Sequence, residues 1–184
     1  MLLSHALPIA VVAIVVTLAV VIVVDSLRLG MGPMPTRPLV QDALLKLLPD
    51  TPGRIFELGC GWGGLAVALS KARPDARVEG WEAAWVPWAV AALRARIQGG
   101  GRIQIHRGDL HAADVTQADV VVVYLHAEGM ARLATQLRDM PPNACILSNT
   151  FGLRGWTPDE TIVLPDTLRT HVYRYRVGAV HVQA

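Results

Sequence analysis

Arg54-Ile55-Phe56-Glu57-Leu58-Gly59-Cys60-Gly61-Trp62-Gly63-Gly64, continued by Leu65-Ala66-Val67-Ala68-Leu69-Ser70-Lys71-Ala72, is the stretch whose reading decides the fold. A short apolar run ending in a carboxylate meets a cluster of glycines, and a helix-favouring segment follows at once. This reads as strand, tight turn, helix. Glycines suit the turn because its backbone angles exclude a β-carbon and because a ligand can then approach the main chain. The helix that follows points its unpaired N–H groups back at whatever rests on the turn. The stretch is therefore expected to hold a cofactor.

Working outward, Arg77 to Glu82 reads as a second strand, Val86 to Ile97 as a helix stopped by Gly99-Gly100-Gly101, and Arg102 to His106 as a third strand. Asp119 to Tyr124, rich in valine, fits a strand buried on both faces. Met130 to Met140 looks helical, and Ala144 to Ser148 is a fifth strand. Strands alternating with helices at this spacing predict a Rossmann-like, doubly wound, mostly parallel α/β sheet. The end of the chain differs: Glu160 to Leu164 and Thr170 to Val177 lie close together and predict an antiparallel hairpin at the sheet edge.

Toward the N-terminus, Met1 to Val24 contains no Asp, Glu, Lys or Arg. A helix of about 20 residues crosses a hydrocarbon core, and lipid forces even a β-branched segment to satisfy its backbone as helix. A cleaved signal sequence is the competing reading. It is disfavoured by the length of the run, by the lack of a basic residue before it, and by Val24-Asp25-Ser26-Leu27-Arg28, which offers no small-residue cleavage site. Residues 1–29 are thus expected to be a single transmembrane anchor and 30–38, with three prolines and two glycines, a linker. Residues 39–184 form the ligand-binding domain, which opens with a helical stripe from Leu39 to Leu48. Arg28, Arg37 and Lys46 follow the span and no Lys or Arg precedes it, which places the domain on the cytoplasmic side, as at a bacterial inner membrane.

The bulk numbers agree. A chain of 184 residues accommodates one domain and a short appendage, and 52% hydrophobic content beside 17% charged residues reflects the apolar N-terminus. A net charge of +2, without a Lys/Arg cluster or a basic stripe interleaved with aromatics, gives no case for nucleic acid as a partner. Cys60 and Cys145 are read as free thiols, and no metal-ligand spacing is present.

Ligands of open α/β sheets bind outside the C-terminal ends of the strands. Glu57 with the glycine turn, Glu82, Asp109 and Tyr124 all fall at such ends. Gly59-x-Gly61-x-x-Gly64 literally fits a dinucleotide pattern, and Glu82 stands near the interval of a ribose-binding carboxylate. A non-catalytic, membrane-tethered module of the NAD-binding type is therefore one reading. Three features favour S-adenosylmethionine instead. Glu57, two residues before Gly59, suits a ligand with an ammonium better than one with a pyrophosphate. Gly108-Asp109-Leu110 supplies an acid after the third strand that could accept from an adenine amine, and the hairpin ends the sheet without a separate substrate domain.

The chain resembles the seven-β-strand S-adenosylmethionine-dependent methyltransferases, and within them the small membrane-anchored protein-lysine methyltransferases that include the mitochondrial enzymes acting on ATP synthase subunit c and the adenine nucleotide translocase. The pieces that carry the resemblance are the anchor, Pro33-Met34-Pro35-Thr36, Glu57-Leu58-Gly59-Cys60-Gly61-Trp62-Gly63, Gly80-Trp81-Glu82-Ala83-Ala84-Trp85, Asp109-Leu110, and Phe151-Gly152-Leu153-Arg154-Gly155-Trp156-Thr157-Pro158-Asp159. It departs from the family at Trp62-Gly63-Gly64 and at Tyr124-Leu125-His126. The resemblance implies a cofactor set of Glu57, Gly59, Cys60, Gly61, Gly63, Glu82, Ala83, Asp109 and Leu110. Gly59, Gly61 and Gly63 would lie under the methionine part, Glu82 at the ribose hydroxyls and Asp109 at the adenine. It also implies a protein substrate, with a membrane protein as one candidate. Methylation of a lipid-soluble small molecule is the alternative. Methyl transfer needs alignment and a deprotonated nucleophile, and Tyr124 and His126, just past the fourth strand, are the side chains placed to receive a lysine's proton. Trp156 is expected to pack rather than to wall a channel, and His111 to belong to a loop.

Overall fold

The computed structural model describes residues 2–30, 32 and 34–178. Met31 and Pro33 of the expected linker, and residues 179–184 of the expected domain, lie outside the described residues. The elements in order are α1 (Leu2–Leu29), α2 (Pro38–Leu47), β1 (Arg54–Leu58), α3 (Gly64–Ala72), β2 (Arg77–Glu82), α4 (Trp85–Gln98), β3 (Ile103–Arg107), β4 (Val120–Val123), α5 (Ala127–Gln136), β5 (Cys145–Asn149), β6 (Glu160–Val163) and β7 (His171–Arg176). They build a seven-stranded sheet in the order β3-β2-β1-β4-β5-β7-β6. Strands β1 to β5 run parallel, and β7 pairs antiparallel with both β5 and β6.

Alternation along the central strands sorts their side chains onto two helical layers. Phe56 and Leu58 of β1 and Val121 and Val123 of β4 join Met130, Leu133 and Leu137 in one cluster. Ile55, Val120 and Val122 join Val40, Leu44 and Leu47 of α2 and Leu65 and Leu69 of α3 in the other. Both layers are apolar, so β4 has no polar position, and all four of its valines are buried. Glu57 shares the face of Ile55, and this alternation sends its carboxylate toward α3.

The chain leaves β1 in one direction, to β2 and β3, and later returns on its other side with β4. The strand order reverses between β1 and β4, and at such a switch point the loops separate and open a crevice. Register brings Leu58 level with both Trp81 and Val123, so the glycine turn, Glu82 and Tyr124 emerge side by side.

The expected antiparallel hairpin stands at the sheet edge, with β7 inserted between β5 and β6, so the edge strand β6 runs in the direction of the parallel set. One helix departs from the expected pattern. Helix α5 begins at Ala127, three residues early, with Glu128 in its first turn. Its end tightens into a 3-10 turn over Leu137–Asp139, so the expected continuous helix to Met140 is divided.

Helix α1 is long and apolar enough, over Leu7–Leu29, to cross a membrane. Its last two turns do not stand apart from the domain. Val21, Ile22, Asp25 and Ser26 are half-buried while residues 7–20 are exposed, and α4 is an element on which this end rests.

Candidate functional site

Three of the glycines between β1 and α3 adopt left-handed angles, Gly59 at φ 81°, Gly61 at φ 52° and Gly63 at φ 73°. The turn is fastened to β2, because the N–H groups of Gly59 and Cys60 both donate to the Trp81 carbonyl, at 3.0 and 2.9 Å. Gly63 precedes α3, and a β-carbon there would stand 2.8 Å from Cβ of Ala91 on α4. Its smallness lets two helices approach.

Glu82 ends β2 with both oxygens engaged. Its Oε2 accepts the Gly61 N–H at 2.8 Å and its Oε1 the Ala84 N–H at 2.8 Å. The side chain is thereby held rigid, and an ionised carboxylate with four lone-pair positions can still accept two further donors. Asp109 follows β3, and its Oδ1 accepts the His111 N–H at 3.0 Å, capping the short 3-10 turn Leu110–Ala112. Gly59, Gly61, Glu82, Ala83, Asp109 and Leu110 form one side of an open cleft of about 330 Å³. Tyr124 and His126 stand on its other side, where His126 precedes α5 and its ring lies beside Gly129.

A smaller recess of about 70 Å³ adjoins this cleft through Gly59 and Tyr124, and Glu57, Cys60 and Asn149 line it. Glu57 is buried, at 5% exposure, and its Oε2 has no hydrogen-bond partner. Burial raises its carboxyl well above the ordinary range, the nearby Glu82 charge adds to this, and the Ala66 backbone N–H in the first turn of α3 opposes it. A buried carboxylate oxygen without a partner is suited to a cation. The Cys60 thiol is pushed far up by the same burial and by the charges of Glu57 and Glu82. It is a neutral wall rather than a nucleophile.

The expected residues therefore separate into two neighbouring cavities, and Gly63 lines neither. Trp156 stands edge-on to Tyr175, with centroids 6.3 Å apart, and packs against the core. His111 has a foot in the cleft and pairs its Nδ1 with Gln136 Oε1 at 3.1 Å. What the sequence reading missed is the contribution from outside the domain: Ser26, Arg28 and Leu29 of α1, with Gly32 and Met34, line the same cleft as Glu82. No local pattern signals this, because it depends on how the end of α1 docks.

Together these features fit S-adenosylmethionine. Glu57 lacks only a cation, Glu82 offers rigid acceptors, and Gly59 and Gly61 leave the turn open to close approach. The sheet order and the cleft define a class I S-adenosylmethionine-dependent methyltransferase. The model of the ANTKMT methyltransferase domain matches residues 57–160, more than half of the chain, and the chain belongs to that family.

Its relatives include a protein-lysine N-methyltransferase of Saccharolobus islandicus (strain REY15A), 28% identical over 127 residues, which make up 67% of this chain and 79% of that protein. A trans-aconitate 2-methyltransferase of Mycobacterium sp. (strain KMS) is 37% identical over 86 residues, 47% of this chain but only 31% of that protein. Among solved structures, an RNA methyltransferase from Salinibacter ruber in complex with S-adenosyl-L-homocysteine superimposes with a TM-score of 0.73 at 26% identity. The match covers 82% of this chain and 98% of that one. The nicotinamide reading of the glycine turn gives way to these findings.

Proposed function

We propose that this methyltransferase is anchored in a membrane by α1, with its domain on the cytoplasmic side, and methylates lysine side chains of a protein. The observation that carries the reading is the junction of helix and cleft: the apolar helix ends in Ser26, Arg28 and Leu29, which wall the cavity that Glu82 and Asp109 also line. The kinship with a protein-lysine N-methyltransferase and the ANTKMT family supports lysine as acceptor. Arg28, Arg37 and Lys46 after the span support the orientation.

S-adenosylmethionine supplies a methyl carbon on a cationic sulfonium whose departure leaves a neutral thioether. The chain's task is to hold and align. Glu57 would pair with the ammonium group, Gly59 and Gly61 would lie under the methionine part, Glu82 would accept from the ribose hydroxyls and Asp109 would face the adenine. Cys60, Ala83 and Leu110 contribute walls, and Gly63 acts by setting the turn against α4. A lysine amine attacks only when neutral, and its reference pKa is near 10.4, so it must shed a proton on entering. His126, on the rim of the cleft, would accept it at a ring nitrogen, and Tyr124 beside it would accept a hydrogen bond from the amine and orient it.

Radiolabelled methyl transfer tests this, with the full chain in vesicles supplemented with membranes from cells lacking the gene. Label is expected in protein and, after acid hydrolysis, in methylated lysine. Label recovered in solvent-extractable material would overturn lysine methylation in favour of a lipid-soluble small molecule.

A further inference from the structure

The anchor fixes one point of the domain at the membrane, and α4 starts at that point. The uncharged run of α1 ends at Val24, so in a spanning helix Asp25 stands at the hydrocarbon boundary. Asp25 Oδ2 accepts the backbone N–H of Trp85, the first residue of α4, at 2.9 Å. An N-terminal N–H of α4 that its own helix cannot satisfy is thus bonded to the first charged residue of the anchor. Val21 and Ile22, about one turn or 5 Å deeper, are also half-buried. The domain contact therefore extends below the level of Asp25.

Helix α4 presents an apolar stripe to solvent. Trp85, Ala89, Leu93 and Ile97 recur every four residues along one side of the helix. Trp85 is 54%, Leu93 60% and Ile97 72% exposed. The half-buried part of α1 spans residues 21–26, about 8 Å along its axis, which is nearer the width of a crossing helix than the roughly 21 Å length of α4. A helix that crosses the anchor at the boundary lies along the membrane surface.

Charge agrees with this placement. No Asp or Glu occurs from Ala83 to Gly108, whereas Arg96, Arg102 and Arg107 in that stretch are exposed. The Arg107 guanidinium stacks over the exposed Trp85 ring, 3.8 Å from its centroid. Tryptophan prefers the headgroup level, and arginine beside an apolar stripe reaches anionic phosphates.

We infer that α4 is a second membrane contact, with Trp85, Leu93 and Ile97 seated at the boundary between headgroups and acyl chains and Arg96, Arg102 and Arg107 on anionic lipid. This rests on α1 being a membrane anchor, and it goes further by fixing the tilt of the domain. A span alone leaves the domain free to turn; the second contact holds the cleft, walled by Ser26, Arg28 and Leu29, at the membrane surface. The acceptor lysine must then lie within side-chain reach of the lipid boundary.

The test uses the full chain in vesicles of phosphatidylcholine and phosphatidylglycerol in equal parts. A fluorophore is attached at Ile97→Cys, at Leu93→Cys or, as a control, at Leu168→Cys, which is 79% exposed between β6 and β7. Cys60 and Cys145 are buried and do not compete for the label. Quenchers carried on the acyl chains are expected to remove most emission at positions 97 and 93 and little at 168, and Arg96→Glu with Arg102→Glu should restore emission at 97. If the chain resists alkaline extraction but positions 97 and 93 are quenched no more than 168, the second contact is wrong and the anchor stands. If alkaline wash releases the chain, the anchor reading fails and the inference with it. A label at 97 shielded from water but untouched by lipid quenchers, in a chain that cross-links to itself, would assign the stripe to a second copy and overturn the proposal.

Discussion

Glu57, one residue before the end of β1, and Glu82, at the end of the neighbouring parallel strand β2, are almost equally buried at 5% and 8% exposure and sit in opposite chemical conditions. Glu82 has a backbone donor on each oxygen. Glu57 has an oxygen with none. The fold itself completes the first carboxylate, and the second is left for a ligand to complete. A buried acceptor that already has partners keeps its geometry whether or not a ligand is present, whereas one without them destabilises the empty protein. Glu82, in the cleft, would supply position, and Glu57, in the adjoining recess, would supply affinity that depends on charge.

The largest expected effect separates them. Glu82→Ala strands the N–H groups of Gly61 and Ala84 and removes the proposed ribose acceptors. Two charge-assisted bonds at about 1.5 kcal/mol or more each imply a loss of roughly 3 kcal/mol in stability. The calorimetric affinity for S-adenosylmethionine should fall on the order of 100-fold, since 1.4 kcal/mol corresponds to about tenfold. A variant that melts like the parent would show that these bonds contribute nothing and would erase the contrast.

Glu57→Gln should act in the other direction on the empty protein. Burial raises the Glu57 carboxyl, so the stability it contributes is complete below its ordinary value of 4.5 and is lost as pH rises toward the raised one. Binding of a cation has the opposite sign and strengthens as Glu57 ionises. Above pH 4.5 the parent's melting temperature is expected to sag while the shift produced by S-adenosylmethionine grows. In Glu57→Gln both trends flatten, the unliganded protein melts higher at neutral pH, and affinity drops about tenfold, the equivalent of one paired charge at roughly 1.5 kcal/mol. A pH-independent shift in the parent would show that Glu57 does not meet the ammonium.

Gly63→Ala and Gly61→Ala sharpen the comparison at the turn. Both sites have positive φ, but a methyl at 63 meets Ala91 and a methyl at 61 has nothing within 4 Å. Strain alone costs about 1 kcal/mol and overpacking adds about 1–3. Denaturant titration should place Gly63→Ala well below Gly61→Ala in stability. Affinity should reverse that order, because Gly61 lines the cleft and Gly63 does not.

The half of the site built by β1, β2 and β3 was legible in the sequence, because its determinants are local. A strand, a glycine turn and a carboxylate at the next strand's end fix Gly59, Glu82 and Asp109 through the parallel register alone. Less was legible where contacts are distant. The insertion of β7 between β5 and β6 depends on which edge partner β5 accepts, and both hairpin arrangements share one sequence pattern. The division between cleft and recess depends on the alternation that sends Glu57 toward α3. The wall contributed by Ser26, Arg28 and Leu29 could not be read at all, because a polar residue just after an apolar run looks the same whether it faces water or caps another helix.

The bond that docks this end of α1 on the domain gives the smallest expected effect. Asp25 joins anchor to domain through the Trp85 N–H, and Asp25→Ala leaves that donor to water and removes an anion from the N-terminus of α4. The bond lies in an exposed setting, which limits its contribution to about 0.5–1 kcal/mol. Global stability should barely move. Hydrogen exchange at Trp85, however, should quicken several-fold, the factor such an energy allows, while exchange in β4 stays unchanged. If Asp25→Ala also weakens S-adenosylmethionine binding, the end of α1 is part of the cofactor cleft's working geometry; if exchange alone responds, α1 borders the cleft without shaping it. The two outcomes distinguish an anchor that only holds the enzyme in place from one that completes its site.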